Sequence, residues 1–265
     1  MSDVSQTERG QAFRALHEGE PFVIPNPWDA GSAKMFASLG FLALATTSGG
    51  FALTLGRRDG DVTLDEVVDH TRSLASATGL PVSVDLENGY GPAPEDAARA
   101  ITAAAEAGAV GGSIEDWDRE SGIYELDHAA ERVAAAAEAA RALDFPFTLT
   151  ARAENHLRGN PDLDDTIARL RAYEAAGADV IYAPWLKSGE EVRAVAEVTT
   201  KPQNVLAHAG FTMSEIVECG GQRVSVGSQL STVAVGAMAK AAEEIRATGS
   251  FAAFAERVPI KDWLG

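Results

Sequence analysis

The sequence predicts an α/β fold of the (β/α)8 barrel type, and three observations carry that prediction. Eight short β-rich runs recur along the chain, separated by Ala-rich helical stretches. Gly ends several of those helices just before the next strand, at Leu39-Gly40, Ala107-Gly108, Ala176-Gly177 and Cys219-Gly220, where it can take the left-handed conformation that closes a helix. The strand runs are continuously apolar rather than alternating, as expected when helices cover both faces of a parallel sheet. Eight strand–helix units are the number that closes such a barrel.

In order, the predicted strands are Phe22–Pro27, Phe41–Thr46, Pro81–Asp85, Gly111–Glu115, Phe147–Ala151, Asp179–Tyr182, Gln203–Ala207 and Arg223–Val226. Helical stretches between them include Glu95–Ala107, Asp127–Leu143, Asp164–Ala175 and Glu190–Val198. Gln6–His17 reads as an extra amphipathic helix before the first strand, and Ser231–Ala247 and Phe251–Arg257 as helices after the eighth. A doubly wound open sheet is the alternative, weakened because no GxGxxG follows the first strand. No Pro/Gly/Ser linker, low-complexity tail or long charge run divides the chain, so residues 1–265 are expected to form one domain.

Composition narrows the function classes. Hydrophobic residues make up 46% and charged residues 23% of 265 positions, an ordinary globular balance. With 39 Asp and Glu against 22 Lys and Arg the net charge is −17, which repels phosphate backbones and anionic membranes and argues against nucleic-acid or membrane partners. The single cysteine, Cys219, excludes an intramolecular disulfide and any multi-Cys zinc site. Met1–Gly10 has no signal-peptide pattern and no apolar run approaches membrane-spanning length, so a cytoplasmic location is expected.

In a barrel of this type the active site forms where the chain leaves the C-terminal ends of the strands. Those positions hold Asn26-Pro27-Trp28-Asp29, Thr46-Thr47-Ser48-Gly49-Gly50, Asp85-Leu86-Glu87-Asn88-Gly89-Tyr90-Gly91, Glu115-Asp116-Trp117, Arg152-Ala153-Glu154-Asn155-His156, and Asn204 with His208. Asp85 and Glu87 are two apart, which on an extended backbone puts both side chains on one side, and Glu115 leaves the neighbouring strand at the same level. Three clustered carboxylates repel one another unless a cation or protons neutralise them. Oxygen-only ligation favours Mg2+, or Mn2+, over zinc; the competing reading is that these acids cap helices or pair with surface arginines. Asp116 and Asp118 read as solvated or capping acids.

Ser48-Gly49-Gly50 offers unobstructed backbone N–H groups to a carboxylate or oxyanion, or is simply a turn. Arg152 is placed to fork onto a carboxylate, whether the substrate's or that of Glu87 or Glu115. His208 is either an acid/base group or a polar loop residue. His17, His70 and His128 fall in helical stretches and read as surface residues, and Cys219 as packing. Trp28, Trp117, Tyr182 and Trp185 lie near strand ends, as pocket lining or as packing aromatics.

These residues together resemble the isocitrate lyase/phosphoenolpyruvate mutase superfamily over nearly the whole chain. The resemblance rests on Asn26-Pro27-Trp28-Asp29-Ala30, Thr47-Ser48-Gly49-Gly50, Leu55-Gly56-Arg57-Arg58-Asp59, Asp85-Leu86-Glu87-Asn88-Gly89-Tyr90-Gly91, Ser113-Ile114-Glu115-Asp116, Ala151-Arg152 with Glu154, Ala176-Gly177-Ala178-Asp179 and Arg223-Val224-Ser225-Val226-Gly227. It implies a Mg2+-dependent enzyme acting on small 2-oxo or 2-hydroxy carboxylates through an enolate. It implies Asp85 as direct metal ligand, with Glu87 and Glu115 held through water. Ser48, Gly49 and Gly50 would bind a carboxylate, aided by Trp28, Thr47 and Asn204, and Arg152 would hold the other substrate oxygens. Asp59 would lie near the metal and Arg152. The family's eighth helix swaps between partners, which implies a homo-oligomer, dimer or tetramer; the apolar helix Ser231–Lys240 suits such a contact.

The departures bear on the reaction. The family's lyases carry a Lys-Lys/Arg-Cys-Gly-His loop after the Ile-Glu-Asp strand, where this chain has Trp117-Asp118-Arg119-Glu120-Ser121-Gly122-Ile123-Tyr124. The Lys-Thr-Asn loop of the phosphonate enzymes is missing too, and the lyase glutamate near the sixth strand aligns with Ala183-Pro184. The expected chemistry is C–C cleavage, as in a lyase or a decarboxylase that needs an electron sink but no protein thiol. The general acid/base is open among Asp59, Tyr90, His208 and a metal-bound water. Two alternatives stand: P–C chemistry of the phosphonopyruvate hydrolase or mutase kind, and a non-catalytic 2-oxo acid binding protein.

Overall fold

Eight parallel strands form the barrel, in a computed structural model that describes residues 4–264. They are β1 (Phe22–Ile24), β2 (Leu44–Ala45), β3 (Val82–Asp85), β4 (Gly111–Glu115), β5 (Thr148–Arg152), β6 (Val180–Tyr182), β7 (Gln203–Leu206) and β8 (Gly221–Ser225). From β2 to β8 each strand pairs with its neighbours in sequence, and β8 returns to β1, Phe22 opposite Arg223 and Ile24 opposite Ser225. No ladder joins β1 to β2, but Ala45 N–H donates to Pro25 O at 3.0 Å and brings that seam together. The first two strands are shorter than the runs Phe22–Pro27 and Phe41–Thr46; in the first, Pro25 and Pro27 have no N–H to donate to a ladder.

Helices follow the strands: α1 (Gln6–Glu18) before β1, then α2 (Ala30–Ser38), α3 (Ser48–Thr54), α4 (Leu64–Ala77), α5 (Pro94–Glu106), α6 (Leu126–Arg141), α7 (Leu163–Ala176), α8 (Gly189–Val198), α9 (Met213–Glu218) and α10 (Gln229–Thr248). Local chemistry sets their ends. Thr63 and Glu66 make reciprocal capping bonds at the start of α4, Pro94 opens α5 where its missing N–H costs nothing, and Gly177 closes α7 with φ 108°. The Ser48–Gly50 turn is the first turn of α3, and a short antiparallel hairpin, Trp117–Asp118 with Gly122–Ile123, follows β4. Phe251–Arg257, expected as an α-helix, is a 3₁₀ turn over Ala252–Glu256. A helix that short makes too few i→i−4 bonds to repay its nucleation unless one face is buried, and this one buries no residue.

The main core lies between the outward faces of the strands and the helices, with Val84, Ile114, Leu149 and Ile181 meeting Ile101, Leu170 and Val195. Alanine lines the α5–α6 contact (Ala100 and Ala104 with Ala136 and Ala137), which lets the two helices pack closely. A separate cluster closes the N-terminal end, where Phe13 of α1 meets Phe22, Ile24 and Val110. α10 differs from the others: Ser231 is its one buried residue, while Val233, Val235 and Met238 are exposed. No described helix is long and apolar enough to cross a membrane.

Burial corrects three sequence expectations. His17 and His70 are buried, not surface residues: His17 bonds Phe13 O at 2.8 Å, and His70 stacks on Phe51 with centroids 3.9 Å apart. Burial holds their pKa values down at about 3 and about 4, so both are neutral. Asp116 is buried rather than solvated. Its Oδ1 accepts from Glu154 N–H at 2.8 Å and its Oδ2 from Arg169 and the Tyr173 hydroxyl. Helical periodicity could not place these residues, because the surfaces that cover them belong to elements distant in sequence. Asp118 does cap a turn, accepting from Glu120 and Ser121 N–H at 2.9 Å, and Cys219 packs in the core.

Candidate active site

The strand ends surround a cavity of about 350 Å³ at the C-terminal mouth of the barrel. Its walls include Asp85, Arg152, Asn204 and Arg223, with Ser48 and Gly49 at one side and Asp59 above them. Period-2 alternation aims these side chains inward: Ser83 with Asp85, Asn204 with Leu206, and Arg223 with Ser225 all face the cavity.

Arg152 organises the polar centre. From the end of β5 its Nη1 reaches Asp85 Oδ1 at 2.9 Å, its Nη2 reaches Glu115 Oε2 at 3.0 Å, and its Nε and Nη2 reach Glu154 Oε1 at 3.1 and 2.7 Å. Arg158 adds a second cation, 3.1 Å from Glu154 and 3.4 Å from Glu115, with its guanidinium over the Trp117 ring. Burial works against the charged form of Arg152, but Glu154, Glu115 and Asp85 outweigh it and hold its pKa well above the usual value. Glu115 moves upward, chiefly through burial and the facing Glu154, against the pull of Arg152.

Asp85 is held from both sides. Its backbone N–H donates to Thr46 Oγ1 at 2.8 Å, and its Oδ2 accepts from Ser48 Oγ at 3.0 Å and from Ser48 N–H at 3.3 Å. Thr47 caps α3, accepting from Gly50 N–H at 3.3 Å. Position 50 admits no side chain, since a Cβ there would lie 2.5 Å from Thr47 Cγ2.

Glu87 reaches the site differently from the sequence expectation. β3 ends at Asp85, and Glu87 has a left-handed φ of 47°, so the two carboxylates are not presented by one extended strand. Glu115 N–H donates to Glu87 O at 2.9 Å and ties the two strand ends together. Glu87 Oε1 is buried with no hydrogen-bond partner among the described residues. Burial, then Asp85 and Asp59, push its pKa up to about 8. Tyr90, also left-handed at φ 60°, has a buried hydroxyl without a partner, and burial and Glu87 raise its pKa well above that of a free phenol. Glu87, Tyr90 and Glu115 share a smaller recess of about 150 Å³ with Asp118 and Arg119. Among the described residues, no three His, Cys, Asp or Glu side chains converge closely enough to hold a cation between them directly.

The remaining expected residues divide. Asn204 is in the cavity wall, fixed by Ser225 Oγ at 3.0 Å and Arg223 Nε at 2.8 Å. Trp28 sits outside the cavity lining and packs edge-on against Phe36. His208 also lies outside it, packed against Phe211 and Trp185, with Nδ1 accepting from Gly210 N–H at 3.0 Å. Trp185, at the rim, has φ 73°, a strained value for a bulky residue. Sequence reasoning named Glu154, Arg223 and Ser225 in motifs but gave them no role in the site, and it did not single out Arg158. The available signal was position, since Glu154 follows Arg152 by two and Ser225 ends the eighth strand.

Comparisons with known proteins place the chain in a family. The phosphoenolpyruvate phosphomutase family model matches residues 13–246. The chain is 50% identical to a crystal structure of a provisionally assigned lyase/mutase from Burkholderia cenocepacia J2315, with a TM-score of 0.94, covering 97% of this chain and 95% of that one. It is 32% identical to a 2-methylisocitrate lyase of Halalkalibacterium halodurans over 82% of this chain and 73% of the relative. It is 32% identical to an oxaloacetate decarboxylase of Bradyrhizobium sp. over 83% of this chain and 78% of the relative. With the fold, the strand-end carboxylates and these matches in agreement, the chain belongs to the phosphoenolpyruvate phosphomutase family, within the isocitrate lyase/phosphoenolpyruvate mutase superfamily.

Proposed function

We propose that the protein is a Mg2+-dependent enzyme that breaks a C–C bond in a small 2-oxo or 2-hydroxy carboxylate, as a lyase or decarboxylase. The observation that carries this reading is the gathering of Asp85, Glu115 and Glu154 around Arg152 beside a Glu87 oxygen with no partner. A divalent cation fits that donor set: it would satisfy the orphaned Glu87 oxygen and favour the ionised forms of Glu87 and Glu115, whose pKa values burial and then the neighbouring carboxylates raise. Asp85 would hold it, with Glu87 and Glu115 acting through water. A bound Mg2+ supplies Lewis-acid stabilisation of the negative charge that C–C cleavage leaves on the substrate.

The chain's own residues do the rest. Arg152 neutralises and orients substrate oxygens, and the Ser48–Gly50 turn offers a carboxylate its Gly49 N–H, the Ser48 and Gly50 N–H groups being held by Asp85 and Thr47. Asp59, next to Gly49 at the cavity wall, would serve as the proton-transfer group. The same surface logic supports a homo-oligomer, since a second copy would cover the exposed Val233, Val235 and Met238 of α10.

A panel of 2-oxo dicarboxylates, 2-hydroxy acids and phosphonopyruvate, incubated with Mg2+ and assayed for pyruvate, CO2 and phosphate, tests the reading. Pyruvate or CO2 from a carboxylate, abolished by EDTA and by Asp85→Ala, is the expected result. Phosphate release would assign P–C chemistry instead, and tight 2-oxo acid binding without any product would make the protein a binder.

A further inference from the structure

Arg223 is a buried cation in the cavity wall that makes no ion pair among the described residues. Its Nε donates to Asn204 Oδ1 at 2.8 Å, its Nη2 to Thr150 Oγ1 at 2.9 Å, and its Nη1 lies 3.2 Å from His17 Nε2. All three acceptors are neutral; His17 is kept unprotonated by burial and by Arg223 itself. Burial lowers the Arg223 pKa to about 10, so the group still carries its charge at neutral pH. Burying a charge that no opposite charge answers is costly, and Arg152 with its three carboxylates shows how the same barrel treats an arginine that is answered internally.

The placement of Arg223 is built, not incidental. The β8 register shifts between Gly221 and Arg223, leaving Gln222 to bond Gly19 O at 2.9 Å below the barrel while Arg223 and Ser225 face the cavity. A guanidinium has five N–H donors, and the three bonds above leave one on each terminal nitrogen for a further acceptor, as a bound carboxylate would supply.

We propose that Arg223 is a specificity-determining residue that receives a second carboxylate of the substrate, so that the cavity selects dianionic over monoanionic 2-oxo and 2-hydroxy acids. This rests on the proposed function for the first carboxylate, which meets Arg152 and the Ser48–Gly50 turn. The two ends of the substrate are then recognised by different strands: β2 and β5 at one end and β8 at the other.

Calorimetric titration of the full chain with Mg2+ and three probes tests it. Malate and lactate share a 2-hydroxy acid head and differ by the distal carboxylate, while oxalate is too short to have a distal group. The wild type is expected to bind malate at least tenfold more tightly than lactate. Arg223→Gln should remove most of that ratio and leave oxalate affinity unchanged, which also shows that the variant is folded. Arg223→Lys should keep part of the ratio. A wild type that does not distinguish malate from lactate overturns the proposal, as does an Arg223→Gln variant that keeps the ratio or loses oxalate and malate equally. Failure of the wild type to bind oxalate with Mg2+ would instead sink the proposed function, and the Arg223 assignment with it.

Discussion

The Arg152–Asp85 ion pair, 2.9 Å from Nη1 to Oδ1, joins the end of β5 to the end of β3 across β4, whose own Glu115 holds the same guanidinium at 3.0 Å. One side chain therefore binds three strand ends and supplies the charge that lets their carboxylates stand together. Removing it leaves buried acids uncompensated. Arg152→Gln is expected to cost about 3–5 kcal/mol of folding stability, the usual result of breaking a buried ion pair from one side. Turnover should fall by roughly 100-fold or more, about 3 kcal/mol of transition-state stabilisation. Urea unfolding and steady-state kinetics on the same preparation check both, and a variant that turns over normally would show that Arg152 is structural alone.

Glu87 makes stability depend on pH in the metal-free protein. Its folded pKa of about 8 lies above the unfolded value near 4.5, so the folded state holds the proton more tightly. Its contribution is full below about pH 4.5 and is lost as pH rises through 8; the upward shift of Glu115 adds in the same direction. In EDTA, denaturant midpoints should fall between pH 5 and 9, and Glu87→Gln should flatten the slope without abolishing it. Mg2+ should reverse the trend in the wild type, because it favours the ionised carboxylates. An unchanged slope in Glu87→Gln would contradict the assignment.

Asp116 holds the site from behind. It accepts from Glu154 N–H, Arg169 and Tyr173, and so fixes the backbone that presents Arg152 and Glu154. Asp116→Ala leaves Glu154 N–H and the Tyr173 hydroxyl without their acceptor, while Arg169 keeps Asp165 at 2.9 Å, and is expected to cost about 1–3 kcal/mol for each stranded donor. Asp116→Asn, which keeps an acceptor for Glu154 N–H, should cost less. Chemical denaturation of the two variants measures the difference.

Two adjacent glycines should behave differently. A Cβ at Gly50 would press on Thr47 Cγ2 at 2.5 Å, whereas at Gly49 its nearest neighbours lie at 3.4–3.5 Å. Gly50→Ala is therefore expected to destabilise by about 1–3 kcal/mol, the range of an overpacked site. Gly49→Ala should unfold close to the wild-type midpoint while weakening oxalate binding, since it narrows the cavity beside Asp59. Thermal unfolding and oxalate titration separate the two effects.

The eightfold alternation, most helix ends and the strand-end positions of Asp85, Glu115 and Arg152 are legible in the amino-acid order alone. These follow from local rules: apolar runs, capping residues, and the fact that strand ends converge once a barrel closes. How those groups are paired depends on the closed barrel. Asp85 and Glu87, two apart, were expected on one side of an extended strand, but the left-handed backbone at Glu87 takes it off the strand line. Asp116 and His17 looked like solvated surface residues, yet chain segments far away in sequence cover them: α7 over Asp116, and β8, through Arg223, over His17. Arg223 was part of a motif whose purpose no spacing disclosed. Whether a buried charge is answered depends on which side chains reach it across the barrel, and that is a property of closure that no local pattern encodes.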